Sequence, residues 1–279
     1  MATMPVSPAP RTAPPVAPSP ARAAIKRAAG LLATATLPQC RWPRAVFLFG
    51  HMRCGSTAMS NVLCSRPDIS GYGEAHIAYG DAGALGRLAV NQHRRGAWRP
   101  GARHLFDKVL HSRYDAAAHP GLFDAHGLFL VRTPGPSIES IRHLFSRIGS
   151  GEYPTDAAAA AYYEERLEQL ASLWMRFPAA RRIGTSYEEL TADPEGFLGR
   201  VSTLLALDPP LSNTYSARPD APAPGAGDPL SSHLFTSIVS GGRSSSLAPE
   251  ARVLDLPDCG MSRLEALYAR LCALFSGVD

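Results

Sequence analysis

The stretch from Ala45 to Cys64, AVFLFGHMRCGSTAMSNVLC, decides the fold. Its opening run, Ala45 to Phe49, is wholly apolar, as in a strand buried on both faces. A turn follows from Gly50 to Thr57, and then Ala58, Met59, Val62 and Leu63 recur at helical spacing. A helix therefore starts near Gly55 or Ser56. Strand, glycine turn and helix start together make an anion cradle, because backbone N–H groups and the helix dipole both favour negative charge there. Arg53 adds a fixed positive charge, and Ser56 and Thr57 add hydroxyl donors.

Gly50 and Gly55 have the spacing of the nucleotide-triphosphate loop G-x-x-x-x-G-K-[ST], but Ser56 stands where its lysine belongs. The Arg-x-Gly-Ser-Thr core instead resembles the 5′-phosphosulfate loop of the PAPS-dependent sulfotransferases (PAPS, 3′-phosphoadenosine 5′-phosphosulfate). The common form of that loop is Arg-Ser-Gly-Ser/Thr-Thr. Cys54 replaces the usual serine, a change that leaves a backbone cradle intact.

Two further elements carry the same resemblance, in the family's order. Leu130-Val131-Arg132-Thr133-Pro134, with Ser140 eight residues after the arginine, resembles the 3′-phosphate element. Thr133 stands where the family has aspartate or asparagine. The resemblance implies that Arg132 and Ser140 hold the ribose 3′-phosphate, a task suited to the planar arginine fork. Ser186-Tyr187-Glu188-Glu189-Leu190, followed by Ala192-Asp193-Pro194, resembles the segment that places a tyrosine, here Tyr187, near the adenine. The three elements span Phe47 to Leu207, more than half the chain. Gly73-Glu74, after the loop helix, resembles the bacterial and Golgi-like branch of the family.

The wider sequence sets bounds on these readings. At 279 residues the chain holds one large α/β domain or at most two small ones, and 45% apolar content supports a substantial core. A net charge of +4 suits a polyanionic small ligand and is too mild to argue for nucleic acid. Arginine carries nearly all the positive charge, and the only lysines are Lys26 and Lys108. Five cysteines, an odd number without C-x-x-C spacing, suggest neither a disulfide framework nor a zinc site. Free thiols fit a reducing cytoplasm. The Ala, Arg and Pro bias points to a GC-rich bacterial genome. No run of about 18 apolar residues exists, so no membrane span is expected.

Along the chain, residues 1 to about 20 are rich in Pro and Ala and lack periodicity, which predicts a disordered tail. Ala21 to Leu32 reads as a short basic helix, dangling or lying on the surface. Together these form a 1–40 tail before a 41–279 domain. Strands are expected at Ile69–Tyr72, His104–His111, Gly127–Arg132 and Arg182–Tyr187. Helices are expected over Ala82–Asn91, from Pro136, over Asp156–Phe177 with Asp156 as N-cap, over Thr191–Leu207 and over Ser262–Phe275. Pro209 to Pro229 reads as a loop or lid, and Gly241-Gly242-Arg243-Ser244 as a glycine turn or the family's late nucleotide-covering loop. There is no internal repeat. The fold class is α/β, a parallel central sheet flanked by helices on both faces, a P-loop-NTPase-like three-layer sandwich.

Ligands of such sheets bind at the carboxyl ends of the strands, where Arg53–Thr57, Lys108, His111 and Arg132 all fall. By analogy with phosphoryl transfer, Arg53 and Lys108 would steady the oxygens of a transferred sulfuryl group. Ser56 and Thr57 would grip the 5′-phosphate. Glu74 is the first candidate general base, since Gly73-Glu74 resembles the family's base position, although it could equally be a helix N-cap acid. His111 is the second, because cytosolic members place a histidine just after the matching lysine, although here the offset differs and a solvated loop residue is the alternative. His76 ranks below both. The resemblance thus implies a sulfotransferase with PAPS as co-substrate, no metal, and a small-molecule, carbohydrate or lipid acceptor bearing a hydroxyl or amine. The alternatives are a P-loop kinase, with Asp107 as its nearest magnesium-binding candidate, and a non-catalytic anion-binding protein of the same fold. Oligomeric state is not readable.

Overall fold

The computed structural model describes residues 20–215, 235–239, 253–257 and 260–277. Its centre is a five-stranded, all-parallel sheet in the order β2-β3-β1-β4-β5. The strands are β1 (Ala45–Gly50), β2 (Ile69–Ser70), β3 (His104–Val109), β4 (His126–Val131) and β5 (Arg182–Ser186). Because β1 is central, alternate side chains feed two cores. Phe47 and Phe49 join one with α3 (Ala84–Arg94), α4 (Pro134–Arg147), α5 (Asp156–Arg176) and α8 (Gly260–Ser276). Val46 and Leu48 join the other with α2 (Ser56–Ser65), α6 (Tyr187–Ala192) and α7 (Pro194–Leu205). This is the expected three-layer α/β arrangement, and residues buried on both faces account for the unbroken apolar run of β1.

Strand β1 lies between β3 and β4, with Leu48 beside Lys108 and Gly50 beside Leu130. The chain leaves β1 toward β2 and β3 on one side and returns through β4 on the other. A crevice opens at such a switch point, above the carboxyl end of the strand where the connections diverge.

Several boundaries differ from expectation for local reasons. Helix α4 starts at Pro134, two residues earlier than expected, after Thr133 as N-cap. Helix α5 is capped by Thr155, whose hydroxyl accepts from the Ala158 N–H at 3.1 Å. Asp156 lies inside the first turn and instead accepts from Arg142 Nε and the Asp255 N–H. The single helix expected over Thr191–Leu207 is two, because Asp193 caps Gly196 and Pro194 opens a new helix. Helix α1 (Pro20–Thr36) runs past Leu32 and does not dangle. It packs on α3, and a side chain on Gly86 would collide with the Gly30 carbonyl. The tail before Pro20, residues 216–229 of the expected lid and the Gly241–Ser244 turn lie outside the described residues. Among the described residues no helix is long and apolar enough to cross a membrane.

Candidate active site

The loop after β1 is built by its backbone. Arg53 and Gly55 both take left-handed conformations, at φ 68° and 91°, which turn the chain sharply enough to start α2 at Ser56. Gly55 is the N-cap, with no side-chain cap among the described residues, and the first turn of α2, from Ser56 to Ala58, lines the cleft, with the Ala58 N–H donated back to the Gly55 carbonyl at 3.2 Å. A Cβ at Gly55 would lie 2.7 Å from the Tyr187 ring. Gly55→Ala should therefore cost about 1–3 kcal/mol, combining left-handed strain with that contact, measured by denaturant unfolding.

The cleft above this loop has a volume of about 210 Å3 and is lined by Arg53, Gly55, Ser56, Thr57, Glu74, Lys108, Arg132 and Tyr187, among others. Among the described residues three cations face one carboxylate, which makes it a site for an anion. Lys108 is buried to 3% exposure, on the face of β3 toward α2, with its N–H donated to the Gly73 carbonyl. Glu74 follows in the same loop, its side chain 15% exposed and its Oε1 buried without a hydrogen-bond partner. Arg132 places its guanidinium 4.5 Å over the Tyr187 ring, donates to the Arg53 carbonyl at 3.3 Å, and leaves its buried Nε unpartnered. Cys54 is buried in the core beneath the loop.

Ser140 is not paired with Arg132. Its hydroxyl accepts from Arg53 Nε at 2.8 Å, and it does not line the cleft. Tyr187 opens α6 after Ser186, whose capping box with Glu189 fixes the ring over Gly55. Neighbouring Glu188 accepts from the N–H and hydroxyl of Thr133 and from the Tyr268 hydroxyl, which ties α8 to the turn after β4. Thr133 provides that hydroxyl donor.

His111 is not brought into the cleft. Its ring packs against Tyr114 and Tyr162, and burial beside Arg113 and Arg166 pushes its pKa down to about 3. His76 is largely exposed, with Nε2 3.8 Å from Glu74. Asp107 points to the opposite face of β3 from Lys108, where it accepts from the Tyr79 hydroxyl and the Ala75 N–H. Burial raises its pKa to about 7, and it is not in the cleft. Among the described residues no three His, Cys, Asp or Glu side chains converge as metal ligands.

Two supporting residues escaped the sequence reading. His51 accepts the Arg132 N–H on Nε2 at 3.0 Å and donates from Nδ1 to the Met52 carbonyl at 2.8 Å, which joins the loop after β1 to the end of β4. Burial drives its pKa down to about 3, so it serves as a neutral brace. Arg166, fully buried on α5, donates to both carboxylate oxygens of Asp115 and to the carbonyls of Gly50 and Val109. The available signal was an arginine on the apolar stripe Tyr163, Leu167, Leu170.

Comparison with protein-family models and with curated sequences gave no match. Solved structures do match in fold. The sulfotransferase domain from the curacin biosynthetic pathway has a TM-score of 0.56 at 19% identity, covering 83% of this chain and 98% of its own. The sulfotransferase domain from the Synechococcus PCC 7002 olefin synthase has a TM-score of 0.50 at 20% identity, covering 83% and 97%. The chain therefore has the fold of these sulfotransferase domains.

Proposed function

We propose that the chain is a cytoplasmic sulfotransferase that uses PAPS as sulfuryl donor and a hydroxyl- or amine-bearing small molecule, carbohydrate or lipid as acceptor. The observation that carries this reading is the uncapped N-terminus of α2, facing a cleft that also holds Arg53, Lys108 and Arg132. The residues fit the co-substrate. The buried, unpartnered Nε of Arg132 is an orphaned donor suited to a phosphate oxygen, and the first-turn amides with Ser56 and Thr57 suit a second. When bound, PAPS supplies an activated sulfuryl group whose S–O bond to the 5′-phosphate breaks as the acceptor oxygen or nitrogen bonds to sulfur.

In this reading the α2 amides, Ser56 and Thr57 hold the 5′-phosphate, and Arg132 holds the 3′-phosphate beside Tyr187. Ser140 contributes by orienting Arg53 through their hydrogen bond. Lys108 stabilises charge on the leaving and transferring oxygens. Glu74 takes the acceptor's proton, favoured over His111 because it lines the cleft. A kinase reading is disfavoured, since Ser56 replaces the loop lysine and Asp107 is engaged by Tyr79.

Calorimetric titration with adenosine 3′,5′-bisphosphate, beside ATP-Mg, tests the donor site. Micromolar binding of the bisphosphate is expected, with ATP-Mg ignored, and Arg132→Ala should weaken it at least about ten-fold by removing a charge-assisted fork. Preference for ATP-Mg would overturn the sulfotransferase reading. Binding without transfer to any acceptor would favour the non-catalytic alternative.

A further inference from the structure

The cleft has two walls whose separation the chemistry must hold constant, namely the donor loop carrying Arg53 and the end of β3 carrying Lys108. We propose that Tyr162 of α5 is a positioning residue that sets this separation through one hydroxyl shared between the walls. The inference rests on the sulfotransferase reading for the reaction it serves. The Tyr162 hydroxyl accepts from the Met52 N–H at 2.8 Å and donates to the Leu110 carbonyl at 2.7 Å. Met52 directly precedes Arg53, Leu110 lies two residues beyond Lys108, and both line the cleft. One oxygen therefore uses its donor and an acceptor site to span from one wall to the other.

The bridge is itself held. The Tyr162 ring lies 5.4 Å from Tyr153 and 5.4 Å from His111, so its oxygen has little freedom to wander. Burial raises the phenol's pKa well above its ordinary value, which keeps the donated proton in place. On the same helix, Tyr163 donates to the Arg132 carbonyl at 2.6 Å, and Arg166 fastens Gly50 and Val109. Those contacts grip the strands themselves. Tyr162 reaches past the strands into the loop, next to Arg53, whose left-handed backbone needs outside restraint to persist. A displacement of about 1 Å between reacting groups can cost about a hundred-fold in rate, so loss of this bridge should reach the chemical step.

Tyr162→Phe removes a single oxygen and keeps the ring, and Tyr153→Phe is the control in the same aromatic cluster. Two readouts are taken: amide hydrogen exchange at Met52, which needs no turnover, and kcat and KM for PAPS. In Tyr162→Phe, Met52 exchange should rise at least about ten-fold and kcat fall about ten-fold. KM for PAPS should stay within about two-fold, and the control should match wild type. Unchanged Met52 exchange would overturn the assignment. So would a kcat loss shared by Tyr153→Phe, or a Tyr162→Phe chain that does not fold, since the hydroxyl would then be merely structural. A wild type that transfers no sulfuryl group from PAPS defeats the sulfotransferase reading instead, and the bridge is then judged on Met52 exchange alone.

Discussion

Lys108→Ala should lower kcat by about a hundred- to a thousand-fold while leaving bisphosphate affinity within a few-fold of wild type. Lys108 sits in the wall of the cleft at 3% exposure, where water screens its charge little. A preorganised cation is worth most where charge develops during the reaction, and losing one such donor typically costs this much in kcat. On the proposed reading the ground-state phosphates are held from elsewhere, by the α2 amides and Arg132, so binding should survive the substitution. Steady-state kinetics beside calorimetry separate the two effects. Equal losses in affinity and rate would make Lys108 an ordinary binding residue.

The largest stability effect should come from Asp115→Ala. Arg166 and Asp115 are both fully buried and joined by two hydrogen bonds of 2.9 and 2.8 Å. Removing the carboxylate leaves a guanidinium in the core without its counter-charge. Breaking a buried pair from one side costs about 3–5 kcal/mol, which for a domain of this size lowers Tm by about 10 °C. Replacing both partners with apolar residues should restore part of that stability, because the pair contributes little net energy against well-packed hydrocarbon. Activity need not return with it, since Arg166 also fastens the Gly50 and Val109 carbonyls that carry the two walls of the cleft. Thermal unfolding of the single and double variants distinguishes these effects.

What could be read from the chain follows from how local each feature is. The run Ala45–Phe49, the turn and the helix start of α2 are specified by neighbours in sequence, and the structure places them as expected. Lys108 and Arg132 could be anticipated because strand ends in a parallel sheet converge. The partners of these residues could not. Ser140 was expected to hold a phosphate together with Arg132; its hydrogen bond to Arg53, set by how α4 packs over the loop, could not be read from the chain. His111 lay close to a charged strand end in sequence, but its ring packs against the aromatic cluster of Tyr114 and Tyr162. Arg166 stands out in sequence only as an arginine on an apolar helical stripe, and the two strand-end carbonyls and Asp115 that it meets all lie far from it in the chain. The break at Asp193 was legible in principle, from a proline preceded by a capping acid.

The pairing of β1 carries a consequence for how the site comes into being. Ala45 lies beside Leu105, and Val46 beside His126, so the strand that launches the anion-cradle loop finds both neighbours far along the chain. Loop closure over such distances is slow and entropically costly until several strands have assembled. The anion cradle is therefore a property of the completed sheet and not of the segment that supplies its residues. A ligand recognised only by that completed state draws the whole domain toward folding by mass action, so ligand supply and the stability of the folded protein are thermodynamically linked.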